Sequence, residues 1–243
     1  MDLGSPDVEA SARFYEELFG WDAEVTPDPA AGGYTMFRKG GKEVAGAAPL
    51  QSEGQPPAWT TYLSTDSVDA SAAKIADAGG SVLAPPFDVL EAGRMAIAED
   101  PTGAVFGLWQ AKDMKGAELF NQPGSLCWNE LSTRDLDRAI GFYSEVFGFD
   151  VMDSDTPEMR YVQWRIDGKS VGGAMPTPDM VPTEVPAHWL SYFAVSDLGE
   201  TLAKAKDLGG TVVFGPVESP QGPFATVMDP QGAMFAVIQM SSQ

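Results

Sequence analysis

The sequence has one histidine and one cysteine in 243 residues, and 15 basic residues against 35 acidic ones. Each scarcity excludes something. Cys127 alone cannot close an intrachain disulfide or anchor a Cys-rich metal site, which suits a reducing cytoplasm. With His188 as the single imidazole, a metal centre built on several histidines is ruled out. The formal charge of −20 repels phosphate backbones and anionic headgroups, so neither nucleic acid nor a membrane surface is an expected partner. No apolar run approaches the roughly 18 residues of a membrane span, and the segment from Met1 to Asp7 lacks a basic region followed by an apolar one. Phosphate loops of the GxxxxGKS type, GxSxG elbows, HExxH and EF-hand loops are also missing.

What is present is a repeat. Leu3 to Asp22 (LGSPDVEASARFYEELFGWD) lies over Leu131 to Asp150 (LSTRDLDRAIGFYSEVFGFD), and the match continues in order. Tyr34 to Arg38 meets Tyr161 to Arg165, GKEVAGAAP from Gly41 meets GKSVGGAMP from Gly168, and Trp59 to Tyr62 meets Trp189 to Tyr192. Asp100-Pro-Thr-Gly-Ala meets Asp229-Pro-Gln-Gly-Ala. Met1 then aligns with Asn129, so the first half has no counterpart to Ser125 to Trp128, and its opening strand is either shortened or entered part-way.

Within each half the pattern recurs. Val8, Ala12, Tyr15 and Phe19 form the apolar stripe of a helix that Gly20 can end, with Ser5 as its expected cap, and Leu136, Ile140, Tyr143 and Phe147 repeat the stripe after Thr133. Two more helices start near Val68 and Leu198. Short strands are expected at 34–38, 59–64, 95–98, 105–110, 161–166, 189–195 and 224–228, bounded by Gly, Pro and Asp. The order of strand, helix and about three strands, four times over, predicts an α+β protein of four βαβββ modules with curled, mostly antiparallel sheets. Two domains, 1–111 and 125–243, are expected on either side of a linker at 112–124.

The strand with Asp-Leu or Asp-Val, the helix ending Phe-Tyr-x-x-x-Phe-Gly and the later Asp-Pro-x-Gly-Ala resemble the vicinal oxygen chelate superfamily of glyoxalases, bleomycin-resistance proteins and extradiol dioxygenases. The likeness covers almost the whole chain. GSLCWNEL, GRMAIAEDPTGAVFGLWQ and VGGAMP further resemble an actinobacterial glyoxalase-like subgroup labelled hydroxylase or 30 kDa antigen. The resemblance implies paired modules curling a sheet around a cleft, which in metal-dependent members holds a divalent ion on His or Gln and Glu. The opening-strand ligand positions here carry Trp128, Leu190 and Thr60, and the closing-strand ones Gly107 and Ala236. No metal is therefore expected, a divalent ion on an atypical site being the alternative.

Alternation along a strand puts Glu130 on one face with Trp128, and Asp2 holds the matching place in the first half. These carboxylates are the candidate catalytic or cation-recognising groups. His188, beside Pro186, is a candidate ligand-binding residue of the same cleft and a candidate base. Trp59, Tyr62, Trp109, Trp128, Trp189 and Tyr192 are candidates for lining a small-ligand pocket, although each also suits a core. The leading expectation is a metal-independent binder that sequesters a cationic or aromatic compound. Its rivals are a glyoxalase-like lyase, isomerase or oxygenase, and a protein with vestigial clefts. Four modules in one chain are compatible with either a monomer or a homodimer.

Overall fold

The computed structural model describes residues 1–155 and 159–241. Four βαβββ modules follow one another, as the sequence pattern implies. The first contains β1 (Asp2–Ser5), α1 (Val8–Phe19), β2 (Asp22–Val25), β3 (Thr35–Lys39) and β4 (Lys42–Pro49). In the second are β5 (Ala58–Thr60), β6 (Tyr62–Ser64), α2 (Val68–Asp77), β7 (Ser81–Val89), β8 (Gly93–Glu99) and β9 (Val105–Ala111). The third has β10 (Leu126–Thr133), α3 (Leu136–Phe147), β11 (Asp150–Asp153), β12 (Val162–Ile166) and β13 (Lys169–Pro176). The fourth has β14 (His188–Ala194), α4 (Leu198–Asp207), β15 (Thr211–Val217), β16 (Phe224–Met228) and β17 (Met234–Ile238).

Local chemistry sets these boundaries. Asp7, Ser67, Asp135 and Asp197 each accept a backbone N–H three residues on, satisfying a donor that the first helical turn leaves unpaired. The caps of α1 and α3 thus sit two residues beyond Ser5 and Thr133, where the apolar stripe alone suggests them. Those hydroxyls instead accept from the backbone N–H groups of Asp7 and Asp135, bending the chain into the helix. Gly20 and Gly148 end the same helices in the left-handed region, at φ 69° and 68°.

In every module the opening strand pairs in parallel with the closing strand, and the remaining strands add in antiparallel fashion. The orders are β2-β3-β4-β1, β7-β8-β9-β6, β11-β12-β13-β10 and β15-β16-β17-β14. Sequence reading treats Trp59 to Ser64 as one strand. The structure interrupts it at Thr61, because β5 pairs with β1 whereas β6 pairs with β9.

Contact density divides the chain into two compact units that are not the halves 1–111 and 125–243 of the sequence repeat. Unit 1 is Met1–Thr60, Gly116–Cys127 and Ser191–Gln243, and unit 2 is Thr61–Lys115 and Trp128–Leu190. The reason lies in the helix faces. In unit 1, Phe14, Tyr15 and Phe19 of α1 are buried with Phe193, Val227 and Phe235 of the fourth module. In unit 2, Phe142 and Tyr143 of α3 are buried with Val68, Ile75, Phe106 and Leu108 of the second. The linker segment is likewise more than a spacer. Its Leu119 joins the unit 1 core, and Trp21 Nε1 donates to Gly124 O at 2.7 Å.

One buried hydrogen-bonded chain recurs in both cores. In unit 1, Trp59 Nε1 donates to the Tyr15 hydroxyl at 2.9 Å, which donates to Asp229 Oδ2 at 2.9 Å. In unit 2, Trp189 Nε1 donates to the Tyr143 hydroxyl at 2.9 Å, which donates to Asp100 Oδ2 at 3.0 Å. The other carboxylate oxygens accept backbone N–H groups of the Asp-Pro-x-Gly turns. Burial foremost, with the Asp carboxylates adding, pushes both phenols far above their ordinary range and keeps them neutral donors.

Tyr143→Phe leaves the Trp189 N–H and an Asp100 oxygen short of a partner, and Tyr15→Phe does the same to Trp59 and Asp229. Each substitution is expected to lower unfolding stability by about 1–3 kcal/mol in urea titrations. Unchanged midpoints would show that the chain is not a stabilising element.

Candidate functional site

The face of the third-module sheet that carries Glu130 is built by register. Glu130 of β10 lies beside Gly173 of β13, and Gln163 of β12 lies beside Gly173 in turn. Gly173 leaves room above the sheet that a side chain would close. A β-carbon there would overlap the hydroxyl of Tyr161 and come within 3.0 Å of Trp128 Nε1. Into that room the Tyr161 hydroxyl projects, donating to Glu130 Oε2 at 2.9 Å and accepting from Trp128 Nε1 at 2.9 Å. Burial, and after it the Glu130 charge, pushes the Tyr161 phenol well above its ordinary range. It therefore stays protonated and acts as a donor to the carboxylate.

Unit 1 has a partial copy. Asp2 of β1 lies beside Gly46 of β4, and a β-carbon at Gly46 would overlap the Tyr34 hydroxyl. Burial followed by the charges of Asp2 and Glu43 pushes the Tyr34 phenol far up as well. The two carboxylates singled out from alternation thus each occur with a tyrosine over a glycine. Tyr34 and Tyr161 open the strands expected at 34–38 and 161–166, although the structure places them just ahead of β3 and β12, and neither is among the site residues expected from the sequence. Their signal is the repeat itself, which aligns Tyr34 with Tyr161 and Gly46 with Gly173.

The other candidates fall in different places. Trp59 and Trp189 are 5% and 8% exposed and sit in the cores, with their N–H groups given to Tyr15 and Tyr143. They do not share the Glu130 face, because alternation along β14 turns Trp189 toward α3. The ring of Tyr62 lies against Gly107, with Trp109 edge-on at 6.4 Å, and Trp109 Nε1 donates to Met114 O. Tyr192, in unit 1, packs on Phe224 at 5.8 Å. His188 Nδ1 lies 3.0 Å from Pro186 O, a local bond that fixes the ring and gives Nδ1 the proton. Cys127 is raised to about 12 by burial, which keeps its thiol protonated and unreactive.

A cavity of about 210 Å³ opens on the opposite, helix-bearing face of the unit 2 sheet, with Trp164, Trp189, Phe149, Leu63, Thr61 and Asn129 among its walls. A shallow depression of about 350 Å³ adjoins the start of α3 beside Arg134 and Arg138. Its polar groups serve local structure: Asp135 caps the helix, and Arg134 donates to the carbonyls of Val181 and Pro182.

A family model described as the Glyoxalase/Bleomycin resistance protein/Dioxygenase superfamily matches residues 1–108 and 126–237. The chain belongs to this superfamily. Among its relatives, the anthracycline biosynthesis protein DauV of Streptomyces sp. strain C5 is 41% identical, with 98% of this chain and 91% of that protein covered. CFP32 of Mycobacterium tuberculosis, which carries a provisional glyoxylase name, is 43% identical over 100% of this chain and 94% of its own. Among solved structures, the Mn(II)-bound glyoxalase of Novosphingobium aromaticivorans aligns with a TM-score of 0.65 at 18% identity, covering 99% of this chain and 83% of that one. The 2,3-dioxygenase LapB of Pseudomonas sp. KL28 gives 0.63 at 16% identity, covering 99% and 91%. These two likenesses establish the glyoxalase/dioxygenase fold.

A divalent ion does not fit the residues that stand at the superfamily's ligand positions. Trp128 offers only a donor N–H, and it is given to Tyr161. At Gly107, where the closing carboxylate is expected, any side chain would run into the Tyr62 ring. Among the described residues no group of three or more His, Cys, Asp or Glu side chains converges. Also among these residues, no helix is long and apolar enough to cross a membrane.

Gly173→Ala is expected to evict the Tyr161 hydroxyl and release Trp128, changing the near-UV circular dichroism and costing about 1–3 kcal/mol. Tyr161→Phe removes the same bonds without crowding the backbone. Identical near-UV spectra for wild type and both variants would contradict the arrangement described.

Proposed function

We propose that this superfamily member binds a small aromatic, amine-bearing compound on the Glu130 face of unit 2 and sequesters it without a resident metal. The observation that carries this reading is the Glu130 carboxylate held by Tyr161 next to the indole of Trp128. The phenol holds the carboxylate in place, and the neighbouring ring offers a face for stacking or cation–π contact with a cation. The net charge of −20 adds long-range attraction for such a ligand. The relatives named for anthracycline biosynthesis support a fused-ring aromatic compound as the class. Placement in the cytoplasm belongs to the same proposal and rests on the lone cysteine.

A second reading is enzymatic, with Glu130 or Asp2 as base in a lyase, isomerase or oxygenase reaction. The provisional glyoxylase name of the CFP32 relatives favours it.

Calorimetric titration with an anthracycline separates the two. Sequestration predicts saturable binding, a raised melting temperature, recovery of unchanged ligand, and roughly tenfold or greater weakening in Glu130→Gln, the loss expected for a charge-assisted hydrogen bond. Product formation that disappears in Glu130→Gln would put the enzymatic reading first. No binding by the wild type would overturn the proposed ligand class.

A further inference from the structure

Along β6 the backbone groups of successive residues turn to alternate edges. Thr61 O accepts from Gly107 N at 2.8 Å and Thr65 N donates to Trp109 O at 3.0 Å, so the residues at 61, 63 and 65 turn to β9. Ser64 lies between them and presents its N–H and C=O to the opposite edge. Among the described residues β6 ends its sheet, with β9 as its one neighbour. Ser64 also borders the 210 Å³ cavity, whose walls include Leu63, Phe149, Ile166 and Val171.

The sequence repeat shows what such an edge takes. In unit 1, Ala194 of β14 stands where Ser64 does, and the next residue, Val195, gives its N–H to Ile238 O at 2.8 Å. The Ala194 N–H donates to Ser125 O at 2.9 Å, and its C=O accepts from Gly124 N at 2.7 Å. An extended piece of chain is thus added to this edge. It belongs to the segment 116–127, which also reaches β4, where Glu118 N donates to Glu43 O at 2.7 Å and Leu119 is buried in the unit 1 core.

Burial follows this difference. Val44, in the cluster that holds Leu119, is 1% exposed, whereas its repeat counterpart Val171 is 43% exposed and the nearby Ile166 is 46% exposed. A strand edge open beside apolar side chains is a template for another chain. The cavity also has polar walls, Thr61 and Asn129, which bond to one another at 2.9 Å. A mainly apolar hollow with a polar strand edge suits a peptide, because a peptide brings main-chain donors and acceptors together with apolar side chains.

We infer that the Ser64 edge of unit 2 is a docking slot for an extended segment of a partner protein, which pairs with Ser64 as an added strand and covers Val171 and Ile166 with an apolar side chain. The chemistry of the occupant is that of the unit 1 segment: small residues opposite Ser64, as Gly124 and Ser125 stand opposite Ala194, and a leucine a few residues earlier, as Leu119. Main-chain pairing supplies the affinity and the apolar residue the selectivity. Ile166 holds the place that Lys39 has in unit 1, so this rim offers no charge and favours an uncharged segment. The slot is separate from the Glu130 cluster and does not depend on what binds there.

The test uses the full chain and a peptide with the sequence of residues 119–126, LFNQPGSL, capped at both ends and free of charge. Calorimetry and tryptophan fluorescence are expected to show one peptide bound with a Kd below about 1 mM. Sarcosine in place of the peptide glycine deletes the N–H that donates to Ser64 O, and is expected to weaken binding about tenfold without any change to the protein. Ser64→Pro removes the N–H on the open edge and leaves the bonds of residues 61 and 65 to β9 in place. It is expected to retain the wild-type melting behaviour and lose the peptide. No saturation up to about 10 mM overturns the slot. Equal affinity for the glycine and sarcosine peptides overturns strand pairing, and unchanged binding in Ser64→Pro would move the peptide away from Ser64 and overturn the assignment. A wild-type dimer that Ser64→Pro converts to a monomer would give the edge to a second copy of this chain and overturn the partner segment.

Discussion

The buried Trp–Tyr–Asp hydrogen-bond chain is the constraint around which each unit is organised. An indole N–H, a phenol and a carboxylate cannot be left unpaired inside an aromatic core without penalty, and each here has its partner only if three separate strands or helices arrive together. Tyr15 brings α1, Trp59 brings β5 and Asp229 brings the turn before β17. Tyr143, Trp189 and Asp100 do the same for unit 2. The Phe-Tyr and Asp-Pro-x-Gly elements that mark the sequence as a repeat are therefore not two signatures but two ends of one bond.

With the cores fixed in this way, the sheet of unit 2 presents two chemically different faces. Residues of β10 alternate between them: Leu131 toward α3 and fully buried, Trp128 and Glu130 away from it. The polar cluster depends on a glycine at 173, and the apolar cavity lies across the sheet next to Gly172, so two adjacent glycines of one strand serve opposite sides. Of the two, only the glycine at 173 recurs in the first half, as Gly46 beside Ala45, and in both halves a tyrosine hydroxyl lies over it.

Much of this architecture is legible in the residues. The four helices follow from apolar stripes, the modules from the internal match, and the Glu130 and Trp128 pairing from parity on β10. What is not legible is which modules share a core, because Phe14 and Phe142 are equivalent in the repeat and would suit either partner. The Tyr161 bond also needs geometry, since Tyr161 and Glu130 are 31 positions apart in the sequence. Trp59 and Trp189 carry an ambiguous signal, an aromatic at a strand start being as good for a core as for a pocket wall. His188 shows how a lone titratable residue is absorbed by a neighbouring carbonyl.

The unequal loop spans of the two units bear on how the chain is made. Unit 2 is complete once residue 190 has been synthesised, and its Tyr143–Asp100 bond joins groups 43 residues apart. Unit 1 joins Tyr15 to Asp229 across 214 residues, so α1 emerges from the ribosome long before the fourth-module strands that complete its cover exist. During that interval Phe14 and Phe19 lack their partner strands, and non-local closure of this kind is slow. The nascent chain thus matures from the inside outward. Helix α1 waits across this long span for the fourth module, and its aromatic face is where a chaperone has most to protect.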